Sequence, residues 1–342
     1  MTLVQNGSDK IGGDTINATL STEGIAVTLV FIDSTQGWLV TDSGLQDEAP
    51  TTAFVVATGG TITTSGNDKI HTFTGPGTFT VCSVGNPATN NEVSYLVLAG
   101  GGGGGGSYAG GGGGGGFRED KSPVTPYTAS PLDGAGPITV TAASFPITVG
   151  GGGAKGPHPG ANIGTTGSAS IFSTITSAGG GGGAGETNTG LPGGSGGGGS
   201  YPTQAAGAGN TPPTSPAQGF PGGQGGQGGP GNYLSGGGGG ATEAGVSGNP
   251  TSSPSGRGGA GATTSISASP TAYAGGGGAS GGNNPTTGGG ASPCGTGGAG
   301  SNNPGNGVAG TTNRGGGGGA GNQGTGGGAG GSGIVIIRYK FQ

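Results

Sequence analysis

Apolar residues in this chain gather in short runs towards its two ends, and the long middle carries them only sparsely. The run Ile25-Ala26-Val27-Thr28-Leu29-Val30-Phe31-Ile32 is nearly unbroken, and Thr15 to Leu20 and Trp38 to Thr41 share its β-branched and aromatic content. Gly12-Gly13, Gly24 and Asp33-Ser34-Thr35-Gln36-Gly37 punctuate these stretches, so residues 1–50 read as a small β module. An unbroken apolar strand calls for burial on both faces, which fifty residues cannot supply alone. Association with further copies, as a homotrimer, is the expected remedy. Trp38, the only tryptophan, is expected to anchor the packing at that interface.

After the link Asp47-Glu48-Ala49-Pro50, a second β block is expected from Ala53 to Ala99. Strands are expected over Phe54 to Ala57, Lys69 to Thr74 and Thr78 to Val84, with turns at Gly59-Gly60, Gly66-Asn67-Asp68 and Gly75-Pro76-Gly77. Tyr95-Leu96-Val97-Leu98 then runs into the first glycine tract, and a matching apolar run, Ile334-Val335-Ile336-Ile337-Arg338-Tyr339, follows the last. These two are expected to pair or share one sandwich, clamping the ends of everything between them. Residues 51–99 and 334–342 then form one module and residues 100–333 a glycine-rich insertion. Inside it, Ile138 to Val149 and Ser170 to Thr176 look strand-like, and beyond them only tracts and polar loops are expected. Nothing repeats at helical period, so almost no α-helix is expected.

Composition turns the middle of the chain into the main question, because 99 of its 342 residues are Gly and 23 are Pro. Glycine loses the most backbone entropy on ordering, and an isolated tract is a flexible linker. One ordered alternative is the left-handed threefold extended helix, which turns every backbone group outward; seven glycines would span roughly 22 Å in it. Laid side by side, such helices could saturate one another with N–H···O and Cα–H···O contacts. Collagen is excluded by unbroken runs such as Gly100 to Gly106. Low-complexity disorder fits the composition but not the apolar strands that bracket the tracts.

Five stretches together resemble a known family. They are His71 to Val81 (HTFTGPGTFTV), Tyr95 to Gly106 (YLVLAGGGGGGG), Phe145 to Gly153 (FPITVGGGG), Ser170 to Gly183 (SIFSTITSAGGGGG) and Gly330 to Tyr339 (GGSGIVIIRY). In order and spacing they resemble the glycine-rich tail-fibre and adhesin proteins of tailed bacteriophages, from residue 69 to the end. The resemblance implies a mainly β protein carrying a polyglycine II helix bundle, whose inter-tract loops bind a host receptor, a surface polysaccharide or an outer-membrane component. It also implies a virion location and contact with other virion proteins through the N-terminal module, itself similar to β modules of phage appendages. The start, MTLVQNGSDK, lacks the features of a signal peptide, and assembly on a virus particle would supply an exit from the cell. The alternative is a purely structural virion component, a head fibre, decoration or tail appendage.

Charge and chemistry narrow the function classes. The net charge is -5 with no basic block, and no apolar stretch reaches the length of a membrane helix, so neither nucleic-acid binding nor membrane insertion is expected. Cys82 and Cys294 sit in no metal-ligand spacing and are expected as separate thiols rather than a disulfide. His71 and His158 have no partner at catalytic spacing, the acidic residues do not crowd outside the N-terminal modules, and no lysine closes a phosphate cradle. No enzyme activity, metal or cofactor is expected. What remains is binding: Tyr127, Tyr201, Phe220, Tyr233 and Tyr273 sit among Pro, Ser, Thr and Asn, and aromatics on anchored loops give contact area at little entropic cost. Arg257 and Arg314 could reach phosphate or carboxylate groups of a surface polymer. Capping the ends of a glycine lattice is the competing role for the aromatics.

Overall fold

The two apolar runs that flank the glycine-rich region lie side by side at the centre of one sheet. The computed structural model describes residues 2–21, 27–42, 53–159, 162–227, 233–249, 255–282, 288–302 and 304–342. Residues 25–26 of the first apolar run and the Asp47 to Pro50 link lie outside the described residues. Among the described residues there is no α-helix, and the named strands pair antiparallel throughout.

In the N-terminal module, β1 (Thr2–Leu3) pairs β2 (Ala18–Thr19) and β3 (Thr28–Phe31) pairs β4 (Trp38–Asp42). The long apolar run is not buried within one chain. Val30, Phe31, Ile32 and Trp38 remain 40% to 52% exposed, although residues 10–12 hydrogen-bond along the outer edge of β4 at Trp38.

Beyond the link the chain forms β5 (Val56–Thr58), β6 (Thr61–Ser65), β7 (Asp68–Phe73), β8 (Gly77–Ser83) and β9 (Glu92–Leu98). The glycine-rich stretch then contributes β10 (Phe117–Asp120), β11 (Ile138–Thr139), β12 (Ser144–Thr148), β13 (Ser170–Phe172) and β14 (Ile175–Ser177). Two further hairpins, β15 (Gly226–Gln227) with β16 (Tyr233–Leu234) and β17 (Ala262–Thr264) with β18 (Thr271–Tyr273), occupy a region expected to hold tracts and loops alone. The last strand is β19 (Ile334–Lys340). One sheet runs β10-β9-β19-β7-β6, with β11 also on β9; the other runs β14-β13-β12-β8-β5.

Side chains alternate between the two faces of a strand, and both faces of β9 and β19 are covered. Tyr95, Val97, Val335, Ile337 and Tyr339 pack against Phe79, Val81, Ile147 and Phe172 of the second sheet. Leu96, Leu98, Ile334 and Ile336 face the opposite way, onto Phe117, Ile266 and Tyr273. Two-sided burial is why these strands read as continuous apolar runs rather than alternating ones. β6, an exposed edge strand of sequence TITTS, carries no such signal.

His71 is a core residue of the sandwich. Its Nδ1 lies 2.7 Å from the Gly59 carbonyl oxygen, which can only accept, so Nδ1 carries the proton and Nε2 accepts from the Tyr339 hydroxyl at 3.1 Å. Burial, the largest influence, lowers its pKa below 6.5. The unfolded chain therefore binds more protons than the native one in this window, and the contribution of His71 is present above pH 6.5 and lost as pH falls through the depressed native value. Melting temperatures measured from pH 7.5 downwards should fall more steeply for the wild type than for His71→Gln; superimposable pH profiles would contradict this role.

The glycine tracts are bonded to one another through the backbone, and the choice of neighbour repeats every three residues. Gly100, Gly103 and Gly106 donate their N–H to the carbonyls of Ser168, Thr165 and Asn162. Gly101, Gly104 and Ser107 donate to Gly331, Gly328 and Thr325, and Gly102 and Gly105 to Gly113 and Gly110. The carbonyls of the same tract accept in the same rotation: Gly100 and Gly103 from Gly180 and Gly183, Gly101 and Gly104 from Gly153 and Gly156, Gly102 and Gly105 from Gly318 and Gly321. Three surrounding segments thus run antiparallel and three parallel to it. Buried backbone groups are satisfied without a conventional sheet, and the absence of side chains is what allows the approach.

Candidate functional site

The turn between the first two tracts is the local feature from which the site is built. Ser107 and Tyr108 adopt left-handed backbone conformations, with φ of 63° and 51°. Such values are uncommon for residues other than glycine, and strain of this kind concentrates at functional positions. The turn is held from outside: Ser235 Oγ donates to the Tyr108 carbonyl at 2.8 Å, and the Ser280 N–H and hydroxyl both donate to the Ala109 carbonyl.

The same scaffold brings two other tyrosines to this turn. Gly111 donates to Gly236 and Gly236 to Gly199, which places the ends of β16 and of the tract before Tyr201 beside residues 107–111. The Tyr108 and Tyr233 ring centroids lie 4.4 Å apart, and Tyr201 meets Tyr233 edge-on at 4.6 Å. Ser200 Oγ donates to the Asn188 carbonyl and fixes the base of the Tyr201 loop. Tyr108 is nearly buried, whereas Tyr201 and Tyr233 are half-buried and present ring surface at the end of the tracts away from β9. The arrangement is a three-tyrosine platform bordered by hydroxyls and backbone amides, suited to stacking and hydrogen bonding rather than to bond-making chemistry. Tyr108 was legible only as part of a turn, since what marks it is backbone strain and a partner 125 residues away.

The other residues expected to bind lie elsewhere. Tyr273 is 2% exposed, a core residue beneath the Arg314 guanidinium, whose carbon lies 5.1 Å from the ring centroid. Arg314 also donates to the Ala272 carbonyl, so its fork is partly spent on positioning β18. Tyr127 packs half-buried against the same core, with Arg338 and Lys121 over its ring. Burial, the largest influence, raises its hydroxyl pKa. Phe220 is 38% exposed and stands apart from the tyrosine platform. Arg257 forms a two-pronged ion pair with Glu243, at 2.7 and 3.0 Å, which holds that carboxyl below its usual range.

Acidic side chains do crowd once the chain is folded. Glu119, Asp120 and Asp133 converge beside the sandwich, but each carboxylate accepts from a backbone N–H: Ser130 to Glu119, Gly136 to Asp120 and Lys121 to Asp133. Glu119 is fully buried, and desolvation raises its pKa. Their hydrogen bonds make this trio a loop clamp. Cys82 and Cys294 are both free thiols. Burial works to raise the Cys294 thiol pKa, but hydrogen bonds from Ser292, Thr296 and the Gly261 N–H outweigh it and leave it below the ordinary value. Among the described residues, no group of three His, Cys, Asp or Glu could hold a metal ion.

No curated protein matches the chain. Residues 72–340, which take in the tracts, the tyrosine platform and the strands from β8 to β19, match the glycine-rich domain family, and the chain belongs to that family.

Proposed function

We propose that this chain is a virion surface protein of a tailed bacteriophage, a tail fibre or adhesin, that binds a host-cell receptor through loops displayed on polyglycine II helices. The receptor is a surface polysaccharide or an outer-membrane component. The three-residue period of the inter-tract hydrogen bonds is the pattern that threefold extended helices would give, and it supports reading the tracts as polyglycine II. Such a bundle is a stiff platform, and stiffness lowers the entropic cost of binding at its tip.

The observation that carries the receptor reading is the convergence of Tyr108, Tyr201 and Tyr233 at one end of the tracts, on a turn held in strained geometry. The mechanism involves no chemistry. Tyrosine rings stack on the ligand, neighbouring hydroxyls and amides orient it, and several copies joined through residues 1–50 turn weak single contacts into avid attachment.

The test is adsorption of particles carrying the double substitution Tyr201→Ala/Tyr233→Ala. Loss of two central aromatic contacts at about 2 kcal/mol or more each should reduce receptor affinity by roughly 700-fold or more, with assembly unchanged. Full adsorption by assembled variant particles would overturn the receptor role and favour a purely structural virion component.

A further inference from the structure

The loop beside the tyrosine platform carries a carboxylate. Segment 179–184 leads into Glu186 and is bonded to both tracts that border the platform: Gly110 donates to the Ala184 carbonyl, and Ala184 donates to Gly198 in the tract before Tyr201. The loop that follows is tied in again, since the Asn188 side chain donates to the Glu186 carbonyl at 3.0 Å and the Asn188 carbonyl accepts from Ser200 Oγ at 2.9 Å. Glu186 and Thr187 are exposed on this loop, which adjoins the half-buried ring of Tyr201.

The cations of the glycine-rich region are placed elsewhere. Arg118 donates to the Ala135 and Pro216 carbonyls, Lys121 lies over the Tyr127 ring, Arg314 lies over Tyr273, and Arg257 is paired with Glu243. Lys155 belongs to segment 150–156, which bonds to 162–168 and 326–333; segment 110–116 instead bonds to 179–184 and 315–318. Lys155 therefore flanks the first tract on the side away from the platform.

This distribution selects among ligands. An anionic polymer would bring its charge to Glu186 with no cation to offset it, and like charges brought together in an interface lose affinity. An uncharged sugar fits both features: the C–H face of a pyranose packs on a tyrosine ring, and its hydroxyls donate to a carboxylate, which only accepts.

We infer that the ligand of the platform is an uncharged polysaccharide, its pyranose rings stacked on Tyr201 and Tyr233 and its hydroxyls donating to Glu186. The assignment rests on the receptor reading of the platform and narrows it to one chemical class.

The experiment measures retention of the full-length chain on immobilised neutral hexose polymers (mannan, dextran and galactan) and on anionic ones (polygalacturonate and polysialate). At least one neutral polymer should retain the chain, with affinity changed less than about twofold by added salt, and neither anionic polymer should. Glu186→Ala, at an exposed position, should weaken that retention about 10-fold, the loss of a charge-assisted hydrogen bond, and Tyr201→Ala/Tyr233→Ala should abolish it. Retention on the anionic polymers alone, or retention indifferent to Glu186→Ala, would overturn the assignment. So would failure of every neutral polymer to retain the chain; if particles with the tyrosine substitutions nonetheless lose adsorption, the receptor role stands and the receptor is a protein.

Discussion

Gly103→Val should cost at least about 3 kcal/mol and lower the melting temperature by roughly 4 °C or more, as read by calorimetry on the purified chain. Gly103 sits inside the first tract, donating to Thr165 and accepting from Gly183. A Cβ on this residue would come within 3.0 Å of the Ala154 carbonyl oxygen. In an ordinary core, overpacking costs about 1–3 kcal/mol because side chains rotate away. Here the obstructing atom is backbone, and Ala154 is itself fixed, its carbonyl accepting from Thr165 and its N–H donating to the Thr165 hydroxyl. Relief therefore means parting two tracts and giving up hydrogen bonds on both. Gly151→Ala, at a glycine whose Cβ would meet nothing within 4 Å, is the matched control and should be close to neutral. Equal tolerance of both substitutions would mean that the tracts do not pack as described.

Arg338→Met should destabilise by about 3–5 kcal/mol, measured as a lower denaturation midpoint at unchanged slope. Arg338 lies on β19, and its side chain and that of Asp68 are only 5% and 2% exposed. The guanidinium holds Asp68 at 2.7 and 2.8 Å, donates to the carbonyls of Pro126 and Ile266, and stacks over the Tyr127 ring. One cation thus ties the central sheet to the 126 loop and to the segment after β17. Methionine keeps much of the volume but leaves the Asp68 charge buried without its partner, and the buried carbonyls without their donor. Adding Asp68→Leu should recover a large part of the loss, because removing both charges also removes their desolvation cost. A single variant as stable as the wild type would reduce this network to surface-like value.

Which features were legible in the amino-acid order follows from the range of the interactions that make them. The pairing of Tyr95–Leu98 with Ile334–Tyr339 was readable because two-sided burial writes itself as an unbroken apolar run, and the packing of tracts because only neighbouring backbone can satisfy seven consecutive glycines. Less was visible where a residue's role depends on a distant partner. Arg338 reads as a polar residue ending an apolar strand, and nothing local announces Asp68, 270 positions away. Glu119 finds Thr264 across 145 positions. The hairpins β15–β16 and β17–β18 escape detection because their strands lack apolar alternation. At the candidate site, Tyr201 and Tyr233 stand out as aromatics among small polar residues, as do Tyr127 and Tyr273; only the fold separates the first two, at the end of the tracts, from the second two, packed on the core. In the N-terminal module the apolar run Ile25 to Ile32 reads as a strand buried on both faces, whereas its described part, residues 27–32, is half-buried to exposed in a single chain.

Amide hydrogen exchange of the native protein, resolved over Gly100 to Gly116, tests most directly whether the tracts are an ordered, mutually bonded body. The N–H groups there donate to carbonyls of surrounding segments and are buried. They should exchange as slowly as those of β9 and β19, because opening them requires the cooperative unfolding of the tracts around them. Exchange of these glycines at the rate of an unstructured chain, while β9 and β19 stay protected, would contradict it.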